Sequence, residues 1–184
     1  MGTIRVWTKQ SAKVLEILET QGRYTAKRLY VRTRDENDGV LELYDWLAHF
    51  HPGKRWRPAD ADYPVWLSFS YEASMQITPD TVLLELEIPE EQITRIDVKK
   101  WTTMLNRGYL PKDEADYRRH RELLAAYGQS DAGAYESPFY PEIKREIEGS
   151  WIRLFEENGE EGHAYGTVWE LKKEWLREVR REET

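Results

Sequence analysis

The segment Thr81 to Ile88 constrains this chain more than any other, because Val82, Leu84, Leu86 and Ile88 alternate with Leu83, Glu85 and Glu87. A period of two belongs to a β-strand, here one with a core face and a mostly wet face. Such a strand needs sheet partners and a cover. Thr3 to Lys9 alternates around Ile4, Val6 and Trp7 and supplies a first strand, and Tyr63 to Ser70, opened by Pro64 and dense in Val65, Trp66, Leu67 and Phe69, supplies another. For cover, Ser11 is placed to cap a helix in which Val14, Leu15, Ile17 and Leu18 share one side, with Gly22 as a left-handed terminus. The fold class that follows is α+β, with a mixed or antiparallel split sheet and packed helices.

The spacing of Leu41, Tyr44, Trp46, Leu47 and Phe50 predicts a helix from Val40 to His51, closed by His51-Pro52-Gly53. Lys54 to Asp62 reads as a loop. Ile93 to Ile96 is a short strand, and Asp97 caps a helix through Val98, Trp101, Met104 and Leu105 that ends near Gly108. Pro111, Asp113 and Glu114 open a further helix to Gly128. Gln129 to Pro138 is the most loop-like stretch, and Pro141 to Glu156 is helical again although Gly149 weakens it. Asn158-Gly159 breaks the chain before a last strand from Tyr165 to Leu171. Two segments stay open: Arg23 to Arg34 between strand and loop, and Lys172 to Glu183 between an exposed helix and a fraying end. With no repeat and no linker, residues 1–184 are expected to form a single domain, with 172–184 as a charged terminal segment.

The function classes narrow on composition. Of 184 residues 40 % are hydrophobic and 33 % charged, enough apolar material for a core and too much charge for a membrane protein. No apolar run approaches the roughly 18 residues of a membrane span, and Met1-Gly2-Thr3-Ile4-Arg5 lacks the pattern of a secretory signal. The absence of cysteine removes disulfides, thiolate metal sites and cysteine nucleophiles, and suits a cytoplasmic location. The net charge of −7 is uneven: residues 1–70 hold 11 Lys+Arg against 9 Asp+Glu, and the rest hold 16 against 25. So acidic a chain is a poor general nucleic-acid binder, although a local anion site fits its first part.

Candidate chemistry is sparse. His49 and His51 stand about 200° apart round a helix, and His120 and His163 are remote, so no zinc set converges. There is no Gly-rich phosphate loop and no nucleophile elbow. Glu85 and Glu87 share a strand face, where a carboxylate pair would serve acid-base work and where the ordinary expectation is a solvated sheet face. Lys54, Arg55 and Arg57, with the basic Arg23 to Arg34 run, would clamp phosphates while Trp56 stacks on a base; ordinary loop charge and aromatic packing account for the same residues. Most of the eight tryptophans are expected in the core.

At Val6-Trp7-Thr8-Lys9-Gln10, Tyr44-Asp45-Trp46-Leu47, Tyr63-Pro64-Val65-Trp66, Leu84-Glu85-Leu86-Glu87-Ile88-Pro89 and Val168-Trp169-Glu170-Leu171, nearly the whole chain resembles a bacterial family catalogued only as a domain of unknown function. That likeness implies a bacterial cytoplasmic origin and brings no activity. Thr8-Lys9-Gln10 followed by a helix to Gly22, and the Leu84 to Pro89 strand with Ile93 and Asp97 after it, also resemble in kind the ADP-ribosyltransferase superfamily. This second resemblance implies NAD against the first strand, with Thr8 or Gln10 on the ribose or amide and Trp66 or Tyr71 stacking on nicotinamide. The chain departs from that superfamily where it usually offers His or Arg on the first strand, and Thr167 aligns with its catalytic glutamate. Glu170 is the nearest acid, three residues on and so on the opposite face of a regular strand. Two functions are therefore expected to compete: a domain binding a small-molecule nucleotide or a protein partner without chemistry, and a transferase moving ADP-ribose from NAD with Glu170 as its acid-base group.

Overall fold

The computed structural model describes residues 2–34, 38–74, 76–156 and 164–182. In chain order its elements are β1 (Thr3–Ser11), α1 (Ala12–Gln21), β2 (Arg23–Tyr24), α2 (Arg28–Arg34), α3 (Asp38–Phe50), β3 (Val65–Ser68), β4 (Thr81–Pro89), β5 (Thr94–Asp97), α4 (Val98–Leu105), α5 (Glu114–Ala126), α6 (Asp131–Glu136), α7 (Pro141–Ser150), β6 (Ala164–Val168), β7 (Leu171–Lys172) and β8 (Leu176–Arg180). Short 3₁₀ turns lie at Lys54–Trp56, Glu90–Gln92, Trp151–Phe155 and Lys173–Trp175. Residues 1–95 with 164–184 form one compact unit and residues 96–163 a second. No helix among the described residues is long and apolar enough to cross a membrane.

The first unit is built on a six-stranded sheet in the order β5-β6-β3-β1-β4-β8, beside a β2-β7 ribbon. The pairings of β1 with β3 and β4, of β3 with β6 and of β4 with β8 are antiparallel. The α+β class expected from the alternating strands and amphipathic helices is the one observed. Residues paired across a ladder share a sheet face, so the pairs Val6–Leu86 and Thr8–Leu84 set one face and the pair Trp7–Glu85 the other. The first face carries the larger core: Val6, Val65, Leu67, Val82, Leu84, Leu86, Ile88 and Val168 pack with Val14, Leu15 and Leu18 of α1. Each such side chain contributes about 1.5 to 3 kcal/mol by leaving water. Ser11 adopts the extended cap conformation without a side-chain cap bond, and the Ala12 N–H bonds instead to the Asp80 carbonyl at 3.1 Å. Gly22 ends α1 at φ 78°, where its N–H bonds to the Leu18 carbonyl, a conformation that favours glycine for want of a Cβ.

Three expectations are corrected here. The second face of β4 is not mostly wet, since Leu83 is 1 % and Glu85 8 % exposed and, of Leu83, Glu85 and Glu87, only Glu87 keeps a partly exposed side chain; Glu85 is covered there by Arg5 and Trp7 of β1. The Arg23 to Arg34 segment is a two-residue strand followed by helix α2. The charged tail is neither helix nor fray: Leu176–Arg180 is β8, which pairs with β4, its Leu176 and Val179 packed against the core while Arg180 and Glu178 bond each other. A strand on the sheet edge keeps polar side chains on one side, and that alternation was masked by the density of charge.

The second unit is helical. Asp97 caps α4 by accepting from the Lys100 N–H, as the sequence predicts, and Asp113, expected among the residues that open α5, is its cap and accepts from the Asp116 N–H. The segment expected to be most loop-like contains α6, whose cap Ser130 accepts from the Gly133 N–H. Its helix is too short to show a period, which is why composition read it as loop. Gly108 is required by close approach, because a Cβ there would lie 2.5 Å from Thr103 Cγ2. Trp151, 2 % exposed, donates its indole N–H to the Gly108 carbonyl at 2.8 Å and stacks on Tyr135. The Asn158-Gly159 break lies outside the described residues.

Candidate functional site

Of the residues that the nucleotide-binding resemblance implies, Thr8 and Gln10 do not share a sheet face with Trp66. The pair Trp7–Ser68 and the pair Trp66–Thr167 place Trp66 on the face of Trp7, opposite to Thr8 and Gln10. Thr8 is buried with its hydroxyl donating to the Trp66 carbonyl at 2.8 Å and accepting from Gln10 Nε2 at 2.7 Å. Tyr71 stands in the bend after β3, with Arg180 4.6 Å above its ring. Glu170 lies between β6 and β7, bonded to Arg23 at 3.1 Å and Lys172 at 3.4 Å. Arg23 in turn holds Asp60, whose carboxyl is drawn down to about 2 chiefly by that hydrogen bond.

Thr167, where the resemblance sets a catalytic glutamate, is fully buried in a defined hydrogen-bond chain. The Gly53 N–H donates to His51 Nδ1 at 3.0 Å, so the imidazole proton sits on Nε2 and points to Thr167 Oγ1 at 2.9 Å. The Thr167 hydroxyl then donates to the Thr94 carbonyl at 3.2 Å. His51 is 1 % exposed, and burial, aided by the charges of Arg57 and Lys54, pushes it down to about 4. It is a neutral structural imidazole, and its ring meets the Trp169 ring edge-on at 4.9 Å.

Beside this chain lies a cleft of about 330 Å³ lined by Arg28, Asp45, Ala48, His49, Arg57, Asp62 and Tyr63. Asp45, Ala48 and His49 come to it from one face of α3 by their spacing of three and four. Arg28 opens α2, and Arg57, Asp62 and Tyr63 come from the loop before β3. A small core of Leu41, Ala48, Ala61, Tyr63 and Trp169 floors this region. Asp45 is the hub of the acidic side: it accepts from the Tyr63 hydroxyl at 2.7 Å and from Arg28 Nη1 at 2.7 and 2.8 Å. Burial first, and Asp45 second, raise the Tyr63 phenol well above its ordinary value, which makes it a fixed donor and no base. Asp62 accepts from the Arg28 backbone N–H at 2.8 Å.

Arg57 is held differently. Its guanidinium lies 4.7 Å over the Trp169 ring, Nε donates to the Ala61 carbonyl at 2.9 Å and Nη2 to the Asp62 carbonyl at 3.3 Å. Among the described residues no carboxylate lies within ion-pair distance of it. The cleft thus presents a held cation with no ion pair among the described residues, beside Arg28 and His49. The four-residue basic cluster divides: Trp56 packs against the small core with Arg55 over its ring at 5.1 Å, and Arg57 alone reaches the cleft. Sequence reasoning sets the Arg23 to Arg34 run, and so Arg28, beside Arg57, but misses Asp45, His49 and Tyr63 as partners; the Asp45-Ala48-His49 spacing is the one local signal. Of the other two acids singled out, Glu85 is bonded by Arg5 at 3.2 Å and the Trp7 indole at 3.3 Å, and Glu87 by Arg177 at 2.8 Å and the Thr3 hydroxyl at 2.9 Å. Among the described residues no group of three His, Asp or Glu is placed to hold a metal ion.

Three of the segments that carried the family likeness meet at this cleft, through Asp45, Tyr63 and, under Arg57, Trp169. A family model described as domain of unknown function (DUF3841) matches residues 5–177, and the chain belongs to that family. No curated protein and no solved structure matches it.

Proposed function

We propose that the first unit is a binding module for a small anionic ligand of the nucleotide class, seated in the Arg28–His49–Arg57–Tyr63 cleft. The observation that carries this reading is Arg57, a guanidinium held over the Trp169 ring by two carbonyls and without a carboxylate at ion-pair distance among the described residues. A planar fork pre-oriented in this way suits a phosphate or carboxylate and loses little entropy on binding it. Asp45 and Asp62 beside it are acceptors for sugar hydroxyls or a base amino group. NAD is one ligand of this class, and the cytoplasm, which supplies such ligands, is the compartment the reading assumes. Its transferase form would rest on Glu170, and the ion pairs of that carboxylate with Arg23 and Lys172 speak for a structural role.

The test is thermal unfolding with ATP, ADP, ADP-ribose, NAD and inorganic phosphate, since a ligand bound by the native state alone stabilises it by about 2.7 kcal/mol at a hundred times its Kd. At least one nucleotide should raise Tm, and Arg57→Ala should abolish the rise while leaving the unliganded Tm within a few degrees. No shift with any of them removes the reading. NAD consumption lost in Glu170→Gln would instead establish the transferase.

A further inference from the structure

In the second unit, His120 on α5 is 2 % exposed and stands between two carboxylates from different helices. Its Nε2 lies 2.6 Å from Asp131 Oδ1 on α6, and its Nδ1 lies 3.4 Å from Glu146 Oε1 on α7. A neutral imidazole has one N–H and one lone pair, so it would set a lone pair against an anionic oxygen at one of these contacts. Only the imidazolium donates to both. Tyr109 stacks on the ring at 3.9 Å and 11°, and Asp116, bonded to the Tyr109 hydroxyl, adds a further carboxylate to the cluster, whereas Arg119 is the one other cation among these residues. Arg119 bonds both Asp116 and Glu146, and Asp131 also accepts the Tyr109 backbone N–H at 3.1 Å. Asp116 is itself buried and accepts from the Tyr109 hydroxyl at 2.8 Å and the Lys112 N–H at 3.1 Å.

We propose that His120 is a proton-operated latch, whose imidazolium ties α6 through Asp131 and α7 through Glu146 onto α5, and whose deprotonation releases α7. The shorter bond decides which link survives: the proton remaining on Nε2 stays with Asp131, and the bare Nδ1 then faces the Glu146 carboxylate. Arg119 is left as the one cation on Glu146 among these residues, and α7 loses its direct bond to the ring of α5. Burial of the ring opposes its charge, but the hydrogen bonds and charges of Asp131 and Glu146 outweigh that and raise its pKa above the ordinary value. The release therefore comes on the alkaline side of an ordinary histidine titration. The two stable arrangements differ by one proton in a closed cluster, which is the requirement for a switch.

The experiment is to follow the His120 imidazole resonances of the full chain between pH 5 and 9, with hydrogen-exchange protection factors of α7 amides measured across the same range. Protection around Ile143 to Ile147 should fall at least tenfold as His120 loses its proton, with α6 less affected. Glu146→Gln removes the repulsion: the His120 midpoint should move down and the pH dependence of α7 should vanish. If that variant does not fold, Asp131→Asn should likewise lower the midpoint. A neutral His120 at pH 6, flat α7 protection, or unchanged titration in the folded variants overturns the latch.

Discussion

His51 and His120 are shut away from water to the same degree, at 1 % and 2 % exposure, yet one is held neutral and the other charged. The difference lies in what each ring nitrogen meets. His51 receives an N–H on one side, gives one to a hydroxyl on the other, and has Arg57 and Lys54 nearby, all of which favour the neutral ring. His120 meets a carboxylate on each side. Burial alone opposes the charge of both, so neighbours and not depth decide the state of a buried histidine. The two units differ in the same sense. The first rests on an apolar core packed on one face of its sheet, and the second keeps Asp116, Arg119, His120, Asp131 and Glu146 in one connected polar network.

Three changes would break or sharpen that contrast. The largest effect is expected from Leu84→Ala, which empties a fully buried site in the sheet core and should cost about 3 to 4 kcal/mol in urea unfolding of the first unit. A loss under about 1 kcal/mol would show that apolar packing is not what holds that unit. Next comes acid. His51 sits near 4 when folded and near 6.5 when unfolded, so the unfolded chain takes up its proton first as pH falls. The first unit should lose about 3 kcal/mol between pH 6.5 and 4 through this group, and no more below. His51→Gln should flatten that slope. His120 carries the opposite sign: its folded value is raised, so its contribution is complete below the unfolded value and disappears as pH rises through the folded one. Exchange protection followed separately in each unit should therefore fall at opposite ends of the pH range through these two groups. The smallest effect is Glu114→Gln, which breaks the exposed bridge to Arg118 and should change stability by about 0.3 to 0.5 kcal/mol. A larger loss would mean that surface charge, and not the buried network, secures α5.

Legibility in the sequence followed the range of the interactions involved. The first strand, the Ser11 to Gly22 helix, the Asp97 and Asp113 caps and α3 were all readable, since each is set by residues within a turn or two of one another. The cleft was not, because Arg28, Asp45 and Arg57 are brought together only when α2, α3 and the loop before β3 pack. Trp66 falls on the face opposite to Thr8 and Gln10 for a simpler reason. Strand register cannot be read from one strand, and a shift of one residue exchanges every side chain between faces.

By itself, then, the sequence determined the class of the fold, because alternation at Val82 to Ile88 and helical spacing at Val14 to Leu18 are local properties of L-residues in water. It did not determine which tryptophans would be interior: most were expected in the core, and Trp151, Trp169 and Trp175 are buried while the other five are partly exposed. Only the tertiary structure decided that Arg5 and Trp7 of β1 and Arg180 of β8 gather round Glu85, so that it is buried rather than solvated. Only it decided, too, that one buried histidine is neutral and another charged. Both outcomes depend on which distant groups arrive within about 3 Å, and no local period carries that information.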